Sequence, residues 1–216
     1  MREGLHKIVP TDDTIVAIST PPGRSGIGVV RLSGRDTESI AARFRMPAAA
    51  LAHRQATLCN WVDENGTAID EVVATLFKTP GSYTGEDVLE ISAHGNPLVL
   101  GRIVATVCAA GARIASPGEF TLRAVLSGKL DLIQAEAVRN FIDAQTDAQA
   151  RMAMRQMGGV LSNRIRPTKE RLVDIIAHLE AGIDFADDDV QPPDGRAIAG
   201  RIGLVHDELV ELQKTY

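Results

Sequence analysis

The sequence predicts an α+β domain built on a mixed β-sheet over residues 1–128, followed by an all-α helical segment over residues 129–216. Three observations carry that division. Up to Gly128, β-rich runs punctuated by Gly, Pro and Asn-Gly turns alternate with helical stretches. Beyond Leu130 the β signals stop and apolar residues recur at helical spacing. Charge divides at the same place. Residues 1–130 hold 13 basic and 13 acidic side chains, whereas the remainder hold 10 and 15, the whole excess behind a net charge of −5.

Thr14–Ser19 and Ile27–Leu32 read as strands joined by a Pro-Pro-Gly turn. Asp36–Phe44 reads as a short helix with a carboxylate at its start, where the helix dipole favours one. Ala56–Val62, Glu71–Phe77 and Asp87–Ser92 follow as strands, and Asp63-Glu64-Asn65-Gly66 between the first two is a hairpin turn. Pro97–Ala110 reads as a helix, since proline is tolerated in a first turn. A short strand at Arg113–Ala115 and a helix from about Pro117 complete the first domain.

In the second half, Leu132–Ala144 is Ala-rich and amphipathic. Leu172, Ile175, Ile176, Leu179 and Ile183 fall on one helix face. Ile198, Ile202, Val205, Leu209 and Leu212 follow a rhythm close to a heptad seam, and Pro192-Pro193-Asp194 marks the turn between these two helices. Pro167 interrupts an otherwise helical stretch and predicts a kink or restart near Arg166–Thr168, with Gly158-Gly159 a second weak point. The apolar seam around Ile202, Val205 and Leu209 needs a partner and predisposes the chain to self-association.

Composition narrows the function. No run approaches the ~18 apolar residues of a membrane span, and Met1–Asp13 has no apolar signal region, so the expectation is a cytoplasmic protein. Cys59 and Cys108 form no metal or redox motif and read as small buried hydrophobes. A neutral first half and an acidic second half make tight RNA binding by this chain alone a poor expectation. No Ser-His-Asp or Cys-His group can be assembled from the five histidines, and Asp184–Asp189 lacks the Gly and terminal Glu of a calcium loop. Gly23–Gly28 lacks the strand–GxGxxG–helix spacing of a phosphate cradle, Gly128-Lys129 is followed by Leu130, and no GxxxxGK[ST] occurs. These residues therefore do not bind GTP by the usual route.

Four segments remain: PPGRSGIGVVRLSG (Pro21–Gly34), SYTGEDVLEISAHG (Ser82–Gly95), SPGEFTLRAVLSGKLDLIQAEAV (Ser116–Val138) and DFADDD (Asp184–Asp189). In this order and spacing they resemble the N-terminal and first helical segments of the MnmE (TrmE) family of tRNA-modifying GTPases. The resemblance implies an N-terminal folate-binding and dimerisation domain with the fold of tetrahydrofolate-binding aminomethyltransferases. It also implies a helical domain interrupted in sequence by a GTPase domain, whose P-loop is expected beyond Tyr216. Potassium, magnesium and GTP would belong to that domain of the full-length family protein. The implied function is to bind a formyl- or methylene-tetrahydrofolate donor, dimerise, and support addition at C5 of the tRNA wobble uridine with the flavoprotein MnmG and tRNA.

Carried over by position, the resemblance places folate contacts at Arg31 in VVRLSG, Glu90 in EDVLE and Lys129 in SGKLDL. A pterin presents an amino group and a ring N–H side by side, which a carboxylate accepts as a charge-assisted pair. Strand alternation puts Glu90 on the face opposite Leu89 and Ile91. Arg31 and Lys129 would meet either the carboxylates of the folate tail or a polarised carbonyl on the one-carbon group. No catalytic residue is assigned. His94 in AHGNP reads as a residue orienting the turn before Pro97, and Asn96 stands where the family has a second glycine, as a residue tolerant of left-handed backbone. Arg151, Arg155 and Arg166 read as a solvated face or a docking stripe. The alternatives are a stand-alone aminomethyltransferase-like enzyme and a dimerisation scaffold without folate binding.

Overall fold

Ile15–Ile18 (β1) and Ser25–Ser33 (β2) pair antiparallel within a six-stranded sheet. The computed structural model describes residues 12–184 and 195–214; the sequence readings at 1–11, at the acidic run 185–189 and at Pro192–Asp194 lie outside them. Thr37–Arg43 (α1) and a single 3-10 turn at Ala48–Leu51 lead into the hairpin of Thr57–Val62 (β3) and Ala68–Phe77 (β4). Val88–Gly95 (β5), Pro97–Ala109 (α2), Arg113–Ile114 (β6) and Glu119–Leu126 (α3) follow. The strand order is β3-β4-β5-β2-β1-β6, and only the β1–β6 pair is parallel, so the sheet is mixed. The expected α+β class with a mixed sheet is what the chain adopts.

Local chemistry explains the turns. The Asp63 carboxylate accepts from the amides of Asn65 and Thr67, at 3.0 and 2.8 Å, while Gly66 takes the left-handed backbone that closes the β3–β4 hairpin. Asn96 caps α2 by accepting from the Leu98 amide. Its backbone is extended rather than left-handed, so Asn is there for its side-chain oxygen and not for backbone tolerance. β2 begins earlier than the alternating pattern indicates, at Ser25, because a bulge between Ser25 and Gly28 absorbs the glycine-rich run.

Period-2 alternation sends one set of strand residues into the core. Val16, Val30, Leu32, Val72, Ala74, Leu76, Leu89 and Ile91 pack with Leu100, Ile103 and Val107 of α2 and with Ile40 and Phe44. Trp61 is wholly buried there, stacked on Phe44 at 4.4 Å between ring centroids and donating its indole N–H to Thr106. Cys59 and Cys108 pack against this core but stay half-buried, less enclosed than their sequence context suggests, and burial raises both thiol pKa values.

The chain divides into two units at Ala135/Glu136, within the helix Leu132–Ile142 (α4). Asp131 and Gln134 exchange hydrogen bonds at the start of α4. The second unit continues with Asp147–Met157 (α5), opened by a Thr146–Gln149 capping box, then Val160–Asp184 (α6) and Gly195–Gln213 (α7). The helix break falls at Gly158-Gly159, where Gly159 has φ of 76° and separates α5 from α6. α6 runs without interruption through Pro167, so no restart occurs at Arg166–Thr168. Packing against α7 holds that region: Thr168 is buried and bonds Glu208, which also pairs with Arg171. Ile175 and Val205 are the buried centres of the two apolar stripes, while Leu172, Ile176, Leu179, Ile183, Ile202 and Leu209 stay exposed.

Candidate functional site

The sheet face opposite α2 is only partly covered, and it carries a charged pair. Register places Ala17, Arg31, Glu90 and Thr75 in one row across β1, β2, β5 and β4. Leu89 and Ile91 are buried on the other face, so Glu90 emerges here as the alternation requires. Arg31 donates from Nε and Nη2 to a single oxygen of Glu90, at 2.9 and 2.7 Å. The side chains retain 27% and 31% exposure, enough for a ligand to reach them. The guanidinium carbon lies over two rings, 5.6 Å from the centroid of Tyr83 and 5.7 Å from that of Phe120. Among the described residues, Nη1 of Arg31 and Oε2 of Glu90 have no hydrogen-bond partner. A free donor edge therefore sits beside a free carboxylate oxygen.

The two rings come from separate elements that lock together. Thr79–Asp87 forms a loop tied by Thr79 to Asp87 and Gly85, and by Ser82 to Gly85 and Glu86. Against it packs α3, whose Thr121 bonds the Tyr83 hydroxyl and whose following Ser127 donates to the Thr84 carbonyl at 2.6 Å. Gly128, with φ of 79°, ends that helix and delivers Lys129. The Lys129 ammonium is exposed and donates to the Pro80 carbonyl at 3.0 Å, on the loop that carries Tyr83. The structure thus joins Arg31 to Glu90 directly and bonds Lys129 to the neighbouring loop rather than to the pair.

Two residues along β2 from Arg31, Ser33 donates to Glu86, which belongs to an ion cluster that the sequence reading did not single out. Arg123, 1% exposed, bonds the carboxylates of Asp13, Glu86 and Glu119, and also the Asp13 carbonyl. Arg113 pairs with Asp13 and Glu119. The hydrogen bond from Arg113 is the main cause that lowers the Glu119 pKa to about 2. Burial works against ionisation of Asp13, yet hydrogen bonds from Arg113 and Arg123 outweigh it and lower its pKa. Burial likewise opposes the charge on Arg123, but Glu86 and the bonds to Asp13, Glu86 and Glu119 keep it protonated. Glu119 and Arg123 are four apart on one helix, a spacing that lets their side chains meet. Asp13 and Glu86 are brought in by the fold.

The remaining candidates separate. His94 is 73% exposed and its Nδ1 lies 2.8 Å from Asp70, so its partner is a β4 carboxylate. Arg151 and Arg155 lie on α5 and Arg166 on α6, all exposed, so they do not share one helical face. Among the described residues no group of three His, Cys, Asp or Glu side chains is placed to hold a metal. No described helix is long and apolar enough to cross a membrane.

Comparison with known proteins agrees with the two-unit division. Residues 14–129 match the family model described as the GTP-binding protein TrmE N-terminus, and residues 132–216 match the MnmE helical domain. A protein of Koribacter versatilis named tRNA modification GTPase MnmE is 51% identical over 209 residues, covering 95% of this chain and 46% of that protein. Proteins of the same name from Nitrosospira multiformis and Aquifex aeolicus are 44% and 42% identical, over 93% and 94% of this chain and 44% and 45% of their own lengths. The chain thus spans somewhat less than half the length of the curated relatives it matches.

Proposed function

The chain belongs to the MnmE (TrmE) family of tRNA modification GTPases, and from that premise we propose that its first unit binds a reduced folate at Arg31, Glu90 and Lys129. The observation that carries this reading is the Arg31–Glu90 pair, half-buried against Tyr83 and Phe120 with Nη1 of Arg31 and Oε2 of Glu90 unused among the described residues. A pterin offers complementary groups on one planar edge, and a carboxylate oxygen keeps accepting capacity after its neighbour is engaged. The residues present therefore fit the group. Lys129, exposed after α3 and bonded to the adjoining loop, supplies a cation for the acidic tail of the ligand.

In this reading the donor is formyl- or methylene-tetrahydrofolate, and it supplies the one-carbon unit added at C5 of the tRNA wobble uridine. The first unit also dimerises. The partly covered sheet face supports that role, because Leu58 and Val73 stand opposite each other on β3 and β4 and remain exposed. The flavoprotein MnmG and tRNA complete the assembly in the cytoplasm, and GTP hydrolysis resides in the family's GTPase domain, whose P-loop motif these 216 residues do not contain.

Isothermal titration with 5-formyl-tetrahydrofolate tests the reading. The chain binds it, and Glu90→Ala and Arg31→Ala each remove the heat signal while leaving the circular dichroism spectrum unchanged. No heat with the wild-type chain, together with a dimer by light scattering, favours the scaffold reading, in which Arg31 and Glu90 serve only each other.

A further inference from the structure

We infer that Arg123 is a positioning residue for the Arg31–Glu90 site, acting by fixing the two elements that carry Tyr83 and Phe120. Those rings flank the same guanidinium, but Tyr83 belongs to the Thr79–Asp87 loop and Phe120 to α3. Their spacing is therefore a distance between two elements, and something must set it. Arg123 lies on α3, one helical turn from Phe120, and reaches Glu86 of the loop with Nη1 at 3.2 Å from both carboxylate oxygens. The same Glu86 accepts from Ser33 at 2.7 Å, two residues along β2 from Arg31. On its other side Arg123 holds Asp13, just ahead of β1, and Glu119 at the start of α3. One buried guanidinium thus ties the helix, the loop and the strand that together form the site. A planar fork with five donors suits this task, and a lysine ammonium cannot span the same partners.

Arg113 provides a matched comparison. It shares Asp13 and Glu119 with Arg123, yet its bonds do not reach the loop. Arg123 is the more deeply buried of the two, 1% against 38% exposed, so a purely stabilising role would lower Tm more at Arg123 without moving the Tyr83 ring in the folded protein. A positioning role would move it.

The inference rests on the proposed ligand site for its binding readout but not for its structural one. The full chain has two tyrosines, Tyr83 and Tyr216, so labelling with 3-fluorotyrosine gives two 19F resonances, assigned with Tyr83→Phe. In the ligand-free protein, Glu86→Gln and Arg123→Lys should shift or broaden the Tyr83 line, whereas Arg113→Lys should leave it in place even where it lowers Tm. With 5-formyl-tetrahydrofolate, the first two variants should weaken binding at least tenfold and Arg113→Lys less than threefold. If Arg123→Lys does not fold, Glu86→Gln decides, because that carboxylate is partly exposed on the loop. An unmoved Tyr83 line in folded Glu86→Gln overturns the inference. A wild-type chain that ignores the folate overturns the ligand assignment alone, and the Tyr83 line still decides the role of Arg123.

Discussion

Arg31 and Glu90 stand directly opposite each other on β2 and β5, and both bonds between them converge on one oxygen, Oε1. Half-exposed ion pairs of this kind contribute only about 0–1 kcal/mol to folding. Glu90→Ala should therefore shift the urea midpoint little. Ligand-induced stabilisation should vanish instead. At a hundredfold excess of 5-formyl-tetrahydrofolate over Kd, the wild-type chain gains about 2.7 kcal/mol and the variant none. A variant that loses stability without ligand, and still responds to ligand, would mark the pair as structural.

Acid should act on the ion cluster. Glu119 titrates normally in the unfolded chain, near 4.5, and at about 2 in the fold. A lowered folded value means that its contribution is complete above the ordinary carboxyl pKa and disappears as pH falls toward 2. The amount is on the order of 3–4 kcal/mol, from roughly 1.4 kcal/mol per pKa unit. Stability of the first unit, followed by fluorescence of the sole tryptophan, Trp61, should fall between pH 4.5 and 2. Glu119→Gln should be less stable at neutral pH and show a flatter slope in that window, with the residual slope due to Asp13. An unchanged slope would mean that other carboxylates govern acid unfolding.

Gly34 and Gly111 give a paired test of close approach. Both have positive φ, +140° and +117°. A Cβ at Gly34 would lie 2.6 Å from the Asp13 carbonyl oxygen and from the Thr14 Cα, both backbone atoms that cannot rotate away. At Gly111 nothing stands within 4 Å. Gly111→Ala should cost about 1 kcal/mol, the backbone strain alone. Gly34→Ala should cost about 2–4 kcal/mol, because strain adds to displacement of the segment that pins Arg123. Equal losses in guanidinium melts would show that Asp13–Thr14 yields freely.

These contrasts show which features sequence could reveal. Glu90 was placeable because its neighbours Leu89 and Ile91 fix the strand face, and the β3–β4 turn because Asp63 and Gly66 each have a local task. Local patterns of that kind survive folding unchanged. Tyr83 and Phe120 flank Arg31 only after a loop and a helix, distant in sequence, dock on the same sheet face. Asp13, Glu86 and Arg123 carry no periodic signal, and charged residues are ordinarily read as solvated. Their burial is a tertiary fact. Of the two weak points in the sequence, Gly158-Gly159 breaks the helix and Pro167 does not, for a related reason. Propensity penalises Pro167 heavily, yet α7 packs where the penalty falls, while Gly159 takes a left-handed backbone at which α5 gives way to α6.

That accommodation leads to a prediction about Pro167 itself. It lies two turns inside α6, where it supplies no N–H to the Asn163 carbonyl and its ring crowds that carbonyl. Arg166, preceding it, is held helical against the usual preference for extended backbone. An interior proline costs about 3 kcal/mol relative to alanine, part of which is offset because proline also restricts the unfolded chain. Pro167→Ala should therefore stabilise the helical unit by about 1–2 kcal/mol, raising the midpoint of its far-UV circular dichroism melt. The neighbouring Thr168–Glu208 bond, across from α7, should persist, since the side chain of Pro167 is exposed and takes no part in it. Thr168→Val in the same background should lower the midpoint again by removing the hydroxyl that donates to Glu208 while keeping the buried volume. If Pro167→Ala instead lowers the midpoint, the ring is fixing a bend that the α6–α7 contact requires, and the helix is continuous because of its proline rather than in spite of it.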